Sequence, residues 1–149
     1  MMMTLPIRVL IADNDVNFSR SLGRLLDGQQ GMTVIDIVRD GPGAVKACRE
    51  ALPDVALIDL HLPVLDSVRT IQSILTQNEG IKILGLTSNP NDKYAVEAIK
   101  VGASGCLEKR VGIKNGTIVK AIQQVVQGDV LLNPALASSI LQEFHRLSE

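Results

Sequence analysis

Residues 53–66 read PDVALIDLHLPVLD. Pro53 and Asp54 stop what precedes them, and Val55, Ala56, Leu57 and Ile58 then run straight into Asp59. A short apolar run bounded by turn residues is the pattern of a strand buried on both faces. Asp59 is its last residue. In open α/β sheets, ligands sit outside the carboxyl ends of the strands, so this carboxylate is the first candidate for chemistry. Taken alone, a polar strand terminator is the simpler account of it, and the rest of the chain has to decide.

Working outward, the pattern repeats. Ile7 to Ala12 is an apolar run ending in Asp13, Asn14 and Asp15, which predicts a first strand with an acidic end. Phe18, Leu22, Leu25 and Leu26 follow at helical spacing, and Gly28 can end that helix. Met32 to Val38 is β-branched and alternating, a second strand. Gly41-Pro42-Gly43 reads as a turn, with a short helix from Ala44 to Leu52 after it. Beyond Asp59, Asp66 or Ser67 can cap a helix carrying Val68, Ile71, Ile74 and Leu75. Ile81 to Leu86 is a fourth strand running into Thr87 and Ser88. Asn89-Pro90-Asn91-Asp92 is a turn and cap before a stripe of Tyr94, Ala95, Ala98 and Ile99. Gly105 to Glu108 is a short fifth strand, and Lys109 follows it. Asn115 or Thr117 starts a helix that Gly128 ends, and Asn133-Pro134 opens a last helix towards Arg146.

Five strands alternating with helices imply a parallel sheet covered on both faces. The expected fold class is α/β, a flavodoxin-like doubly wound five-stranded parallel sheet in the order 2-1-3-4-5, with an extra C-terminal helix. The chain has 149 residues, one domain by size. Hydrophobic residues make up 46% and aromatics only 2%, so the core must be aliphatic. A net charge of -1 without a basic block is not the footprint of a nucleic-acid binder. Cys48 and Cys106 form no C-x-x-C pattern and read as buried reduced thiols. The N-terminus has no apolar signal core and no run approaches membrane-spanning length, so the expected location is the cytoplasm, with no membrane partner.

In that strand order, the ends carrying Asp13, Asp59, Thr87 with Ser88, and Lys109 are neighbours. They should converge on one shallow pocket suited to phosphoryl transfer. Mg²⁺ binds through one or two carboxylates plus phosphate oxygens, and Asp13 with Asp59 can supply the carboxylates. A carboxylate can act as nucleophile and form an aspartyl-phosphate. Asp59 would attack phosphorus, Lys109 would neutralise developing charge, Thr87 would donate to a phosphoryl oxygen, and Ser88 is small enough to leave room. Each residue also has a bland reading: Lys109 as a solvated lysine, Thr87 as a turn residue, Asp13 and Asp15 as turn and cap carboxylates. The constellation is what carries the argument.

The stretches LIADND, DVALIDLHLPVLDS, ILGLTS and GASGCLEK, in this order and spacing, resemble a response-regulator receiver domain (CheY-like), the phosphoacceptor half of a two-component signalling pair. The resemblance covers roughly the first 130 residues, the usual size of one domain. It implies Asp59 as phosphoacceptor, Asp13 and Asn14 as metal-site residues with the backbone carbonyl of His61, Thr87 as the switch hydroxyl, and Lys109 as the phosphate-sensing lysine. It further implies a sensor histidine kinase, or a small phosphodonor such as acetyl phosphate, as the source of the phosphoryl group. A homodimer switched through the fourth helix, with Tyr94, Ala98 and Ile99 on its surface, would be the output. The tail GTIVKAIQQVVQGDVLLNPALASSIL resembles the end of the receiver in LuxR/NarL-type response regulators. Residues 1–130 are then the receiver and 131–149 a helix and linker towards a DNA-binding helix-turn-helix domain, with text such as Leu147-Ser148-Glu149 at its opening; DNA would be reached only through that domain, and a stand-alone receiver is the other reading.

The chain departs from the family pattern at three places. Asn14 stands where the family has a second acid, which predicts weaker metal binding, with Asp15 compensating in part through a water. Cys106 stands where the family has Tyr or Phe and reads as a small core residue. Ser67 replaces a common Gly and reads as a cap. His61 could overhang the phosphate but reads more simply as an exposed loop histidine, and His145 as surface. Two rival functions remain: a phosphorylation-independent interaction module on the same fold, and a haloacid-dehalogenase-type phosphatase with Asp13 as nucleophile and Asp15 as acid. The second lacks a later acidic pair, since Asp129 is followed by Val130 and Leu131.

Overall fold

A computed structural model describes residues 5–89, 91–114 and 116–147. The parallel strands are β1 (Ile7–Ala12), β2 (Met32–Val38), β3 (Val55–Asp59), β4 (Lys82–Thr87) and β5 (Gly105–Glu108), in the order β2-β1-β3-β4-β5. The helices are α1 (Val16–Asp27), α2 (Gly41–Ala51), α3 (Ser67–Gln77), α4 (Tyr94–Lys100), α5 (Lys109–Lys114), α6 (Thr117–Val126) and α7 (Pro134–Leu147). Strands β1 and β3 are buried on both faces, as continuous apolar runs between two helical layers must be.

The sheet separates two aliphatic cores. On one face Leu10, Ala56, Ile58 and Ile83 meet α2, α3 and α4 through Ala44, Cys48, Ile71, Ile74 and Ala98. On the other, Val9, Ile11, Leu57, Leu84 and Leu86 meet α1 and α6 through Leu22, Leu26, Ile118, Ile122 and Val125. Each fully buried Leu or Ile contributes roughly 1.5–3 kcal/mol, so these two layers hold the strand ends in place. Helix α7 joins the first core by burying Leu136, while Leu141, Phe144 and Leu147 stay exposed.

Four details differ from the sequence expectations. Gly41-Pro42-Gly43 is the first turn of α2, not a turn before it. Asp40 caps it by accepting from the Gly43 N–H, and proline is tolerated in a first turn because its missing N–H has no helical partner there. Gly41 is needed for packing: a Cβ there would lie 2.6 Å from the Leu65 carbonyl oxygen. Lys109 does not simply trail β5 but opens α5, a helix with no sequence signal strong enough to predict it. Ala98 faces the core rather than the surface of α4, whereas Tyr94 is exposed. Strand β4 runs one residue later than expected, so Thr87 is its last residue. Asn115, offered as one start of α6, lies outside the described residues, as do Pro90, Ser148 and Glu149; Thr117 is the first residue of α6.

Candidate functional site at the carboxyl edge of the sheet

The β1 end comes first. Asp13 follows the last residue of β1 and is fully buried. Its Oδ1 accepts from the Asp15 N–H at 2.8 Å, and Asp15 in turn caps α1 by accepting from the Phe18 N–H at 3.0 Å. Asp15 is therefore committed to the helix, and Asn14 between them is exposed. Arg39 supports the turn by donating to the Asp13 carbonyl oxygen at 3.1 Å and to the Ser19 hydroxyl.

Lys109 reaches this carboxylate from β5 across the edge. Its Nζ lies 2.8 Å from Asp13 Oδ2 and 3.3 Å from Asp59 Oδ2, with only a tenth of the side chain exposed. The lysine expected at the site is thus there, and the solvated reading of it fails. The contact to Asp13 is an ion pair off the line of a directed hydrogen bond, which leaves Oδ2 buried without one. Phe18, one of the helical stripe of α1, places its ring 4.7 Å from the ammonium, close enough for cation–π attraction. Burial pushes the Asp13 carboxyl above its ordinary range and outweighs the lowering by Lys109. For Lys109, burial favours the neutral form, but the two carboxylates outweigh it and raise its pKa. The charges are mutually dependent: remove one and the others are stranded.

Asp59 sits between the two sides, mostly buried, and its Oδ1 accepts from the His61 N–H at 2.9 Å. Ser67 is not the helix cap; Asp66 is, accepting from the Arg69 N–H. The Ser67 hydroxyl instead donates to the Asp59 carbonyl oxygen at 2.5 Å and accepts from the Leu62 N–H at 3.2 Å. It pins the loop after β3 to the strand end. Val64 in that loop holds φ +73 and is 84% exposed, a strained backbone for a β-branched residue.

The β4 end is arranged differently. Thr87 lies beside Asp59, since Leu86 is the residue paired with Asp59 across the sheet. Its hydroxyl, however, donates to Asp92 Oδ2 at 2.7 Å. The same oxygen lies 2.6 Å from His61 Nε2, and Asp92 Oδ1 accepts from the Tyr94 N–H at 2.9 Å. The Asp92 side chain is 4% exposed while that of His61 is 56% exposed. His61 is an exposed loop histidine, as expected, but it also leans on Asp92 and packs edge-on against Tyr94 at 5.2 Å. Burial would raise the Asp92 carboxyl, but hydrogen bonds from Thr87, the Tyr94 backbone and His61 outweigh it and lower its pKa. Asp92 looked like a turn residue in the sequence. Its only signal was the Asp itself, five residues after Thr87. Ser88 is exposed at the rim.

A cleft of about 1030 Å³ opens on the α4–β5–α6–α7 side and is lined by Thr87, Asp92 and Cys106, but not by Asp13, Asp59 or Lys109. Cys106 is half-buried and Cys48 buried; burial pushes both thiols up to about 12.

Sheet order, acidic β1 end, central aspartate and engaged lysine are now all in place. Residues 9–123 match the response regulator receiver domain. The chain belongs to that family. It is the receiver domain of a two-component response regulator. The transcriptional regulatory protein LnrK of Bacillus subtilis is 32% identical over 140 residues, a match covering 94% of this chain and 63% of that protein. The transcriptional regulatory protein DegU of Brevibacillus brevis is 26% identical over 141 residues, covering 95% of this chain and 59% of that one. Among solved structures, a LuxR-family two-component response regulator from Aurantimonas sp. SI85-9A1 superimposes with a TM-score of 0.81 at 25% identity, covering 93% of this chain and 97% of that chain. The receiver thus spans about 60% of the length of these two curated relatives. Among its described residues, no helix is long and apolar enough to cross a membrane.

Proposed function

We propose that this receiver is phosphorylated on Asp59 with the help of Mg²⁺, and that the modification switches dimerisation and transcriptional output. The observation that carries the proposal is the position of Lys109 Nζ, within 3.3 Å of both Asp13 and Asp59 at the sheet's carboxyl edge. A carboxylate oxygen of Asp59 attacks phosphorus. The bond from phosphorus to the leaving group breaks, and its electron pair departs with acetate, or with the imidazole of a sensor histidine kinase. Lys109 meets the charge on the phosphoryl oxygens. Thr87, once its hydroxyl turns, donates to one of them, and Ser88 leaves space at the rim.

The donor set fits a hard divalent cation. Asp13 offers a buried carboxylate oxygen without a directed hydrogen bond, Asp59 a second carboxylate, and Asn14 and the His61 carbonyl neutral oxygens. Two carboxylates with neutral oxygens and water is how proteins hold Mg²⁺. Bound there, the cation would neutralise phosphoryl charge. Among the described residues, no group of three or more acidic, His or Cys side chains is placed to hold a metal. Asn14 brings an oxygen without charge, so weak binding is expected. Lys109 supplies the countercharge to both carboxylates meanwhile.

The remaining assignments belong to the same proposal: a cytoplasmic protein, a homodimer using the surface of α4, and residues 131–149 as the helix and linker towards a DNA-binding domain. Incubation with Mg²⁺ and acetyl phosphate, or with beryllofluoride, followed by location of the adduct, tests it. An adduct on Asp59 supports the switch. An adduct on Asp13 supports a phosphatase, and no adduct supports a phosphorylation-independent module.

A further inference from the structure

Thr87 has one hydroxyl hydrogen, and Asp92 accepts it at 2.7 Å. The same hydrogen cannot reach a phosphoryl oxygen on Asp59 at the same time. Nor can Asp92 follow Thr87 inward. One of its oxygens also contacts His61 Nε2 at 2.6 Å, the other accepts from the Tyr94 N–H, and its backbone carbonyl accepts from the Ala95 N–H at 3.1 Å. A buried carboxylate with every oxygen engaged at the start of a helix is a fixed post. Bonds to an ionised acceptor are roughly twice as strong as neutral ones, so the carbonyl of Asn89, at 3.2 Å from the hydroxyl, is the weaker competitor.

We propose that Asp92 is a positioning residue for phosphoryl transfer: it holds the Thr87 hydroxyl turned away from Asp59 and sets the threshold for closing the site. The inference rests on the reading of Asp59 as phosphoacceptor. A second thread of contacts ties the post to the chemistry. The His61 N–H donates to Asp59 Oδ1 at 2.9 Å, while the ring of the same residue braces Asp92. Modification of Asp59 therefore acts on Asp92 from both sides, by competing for the Thr87 hydroxyl and by disturbing the backbone of His61. Charge and packing at one end of the thread bias a two-position hydroxyl at the other.

The test uses Asp92→Ser. Serine keeps an oxygen for the helix start but is too short to span to Thr87. Beryllofluoride affinity in Mg²⁺, and the steady-state fraction of Asp59 adduct with acetyl phosphate, are compared in wild type, Asp92→Ser, Thr87→Ala and the double variant. Asp92→Ser is expected to raise affinity and adduct fraction roughly tenfold, and the gain should vanish in the Thr87→Ala background. Asp92→Asn, which keeps the shape and loses the charge, should show a smaller gain and serves if the serine variant does not fold. An unchanged affinity, or an equal gain with and without the Thr87 hydroxyl, overturns the role of Asp92 while leaving Asp59 as phosphoacceptor. No Asp59 adduct in wild type overturns the parent reading, and this inference with it.

Discussion

The two sides of Asp59 are built from the same kinds of groups and stand in opposite conditions. On the β1 side, Asp13 and Lys109 already face the phosphoacceptor, and the ammonium bridges both carboxylates. On the β4 side, the Thr87 hydroxyl faces away, held by Asp92 and braced by His61. Both clusters contain a buried aspartate, yet burial wins at Asp13 and raises its pKa, while hydrogen bonds win at Asp92 and lower it. The difference is in the donors. Asp92 receives directed bonds from a hydroxyl, an imidazole and a backbone N–H, whereas Asp13 has one oxygen with only an off-line ion pair. Charge that is fully bonded makes a structural post, and charge left partly unsatisfied makes a binding site.

The largest test of this contrast is Lys109→Met. If the β1 side is the charged half of the reaction site, initial phosphorylation by acetyl phosphate falls about a hundredfold or more. A rate within a few-fold of wild type would reduce Lys109 to a structural counterion. Next is Asn14→Asp, which restores a charge beside Asp13. Magnesium affinity measured by titration should rise roughly tenfold, and an unchanged affinity would remove position 14 from the metal site.

A third experiment sets the two aspartates against each other by urea denaturation across pH in metal-free buffer. The raised Asp13 carboxyl holds its proton more tightly folded than unfolded. It costs stability at neutral pH, and the cost disappears as pH falls through its folded titration to the ordinary value of 3.8. The stability of Asp13→Asn relative to wild type should therefore fall as pH is lowered through that range, on top of a loss from leaving buried Lys109 with a single carboxylate. Asp92 is lowered, so its stabilisation is present above the ordinary carboxylate value and is lost as pH falls through its folded value. Asp92→Asn should cost stability at pH 7 and cost less in acid. Slopes of the same sign in the two variants would break the comparison. The smallest effect is expected at Val64, in the loop that joins the halves. Val64→Gly relieves the left-handed backbone and should add about 0.5–1 kcal/mol, in the same denaturation assay.

Most of the frame was legible in the chain. Apolar runs ending at acids, a hydroxyl and a lysine placed four strands to within a residue, β-branched alternation placed β2, and helical stripes placed the layers. Asp13, Asp59 and Lys109 come together because the strand order brings the ends of β1, β3 and β5 to one edge, with only β4 between the last two. The helix α5 was missed because its six residues carry no full period of apolar positions. The first turn of α2 was missed because Gly-Pro-Gly is turn chemistry unless a cap such as Asp40 precedes it. Ser67 looked like a cap because hydroxyls favour helix starts. Only packing shows that its neighbour takes that role and frees it for the Asp59 carbonyl.

The order of residues along the chain determined which side chains would stand at the sheet's carboxyl edge, because alternation of buried strands and covering helices leaves little freedom in where each strand ends. Which way those side chains turn was decided only by the tertiary structure. A threonine hydroxyl has several acceptors within reach, and the one it takes depends on what else is buried beside it. His61 and Asp92, thirty-one residues apart, meet only when the loops after β3 and β4 are brought side by side, and their meeting is what turns Thr87 away.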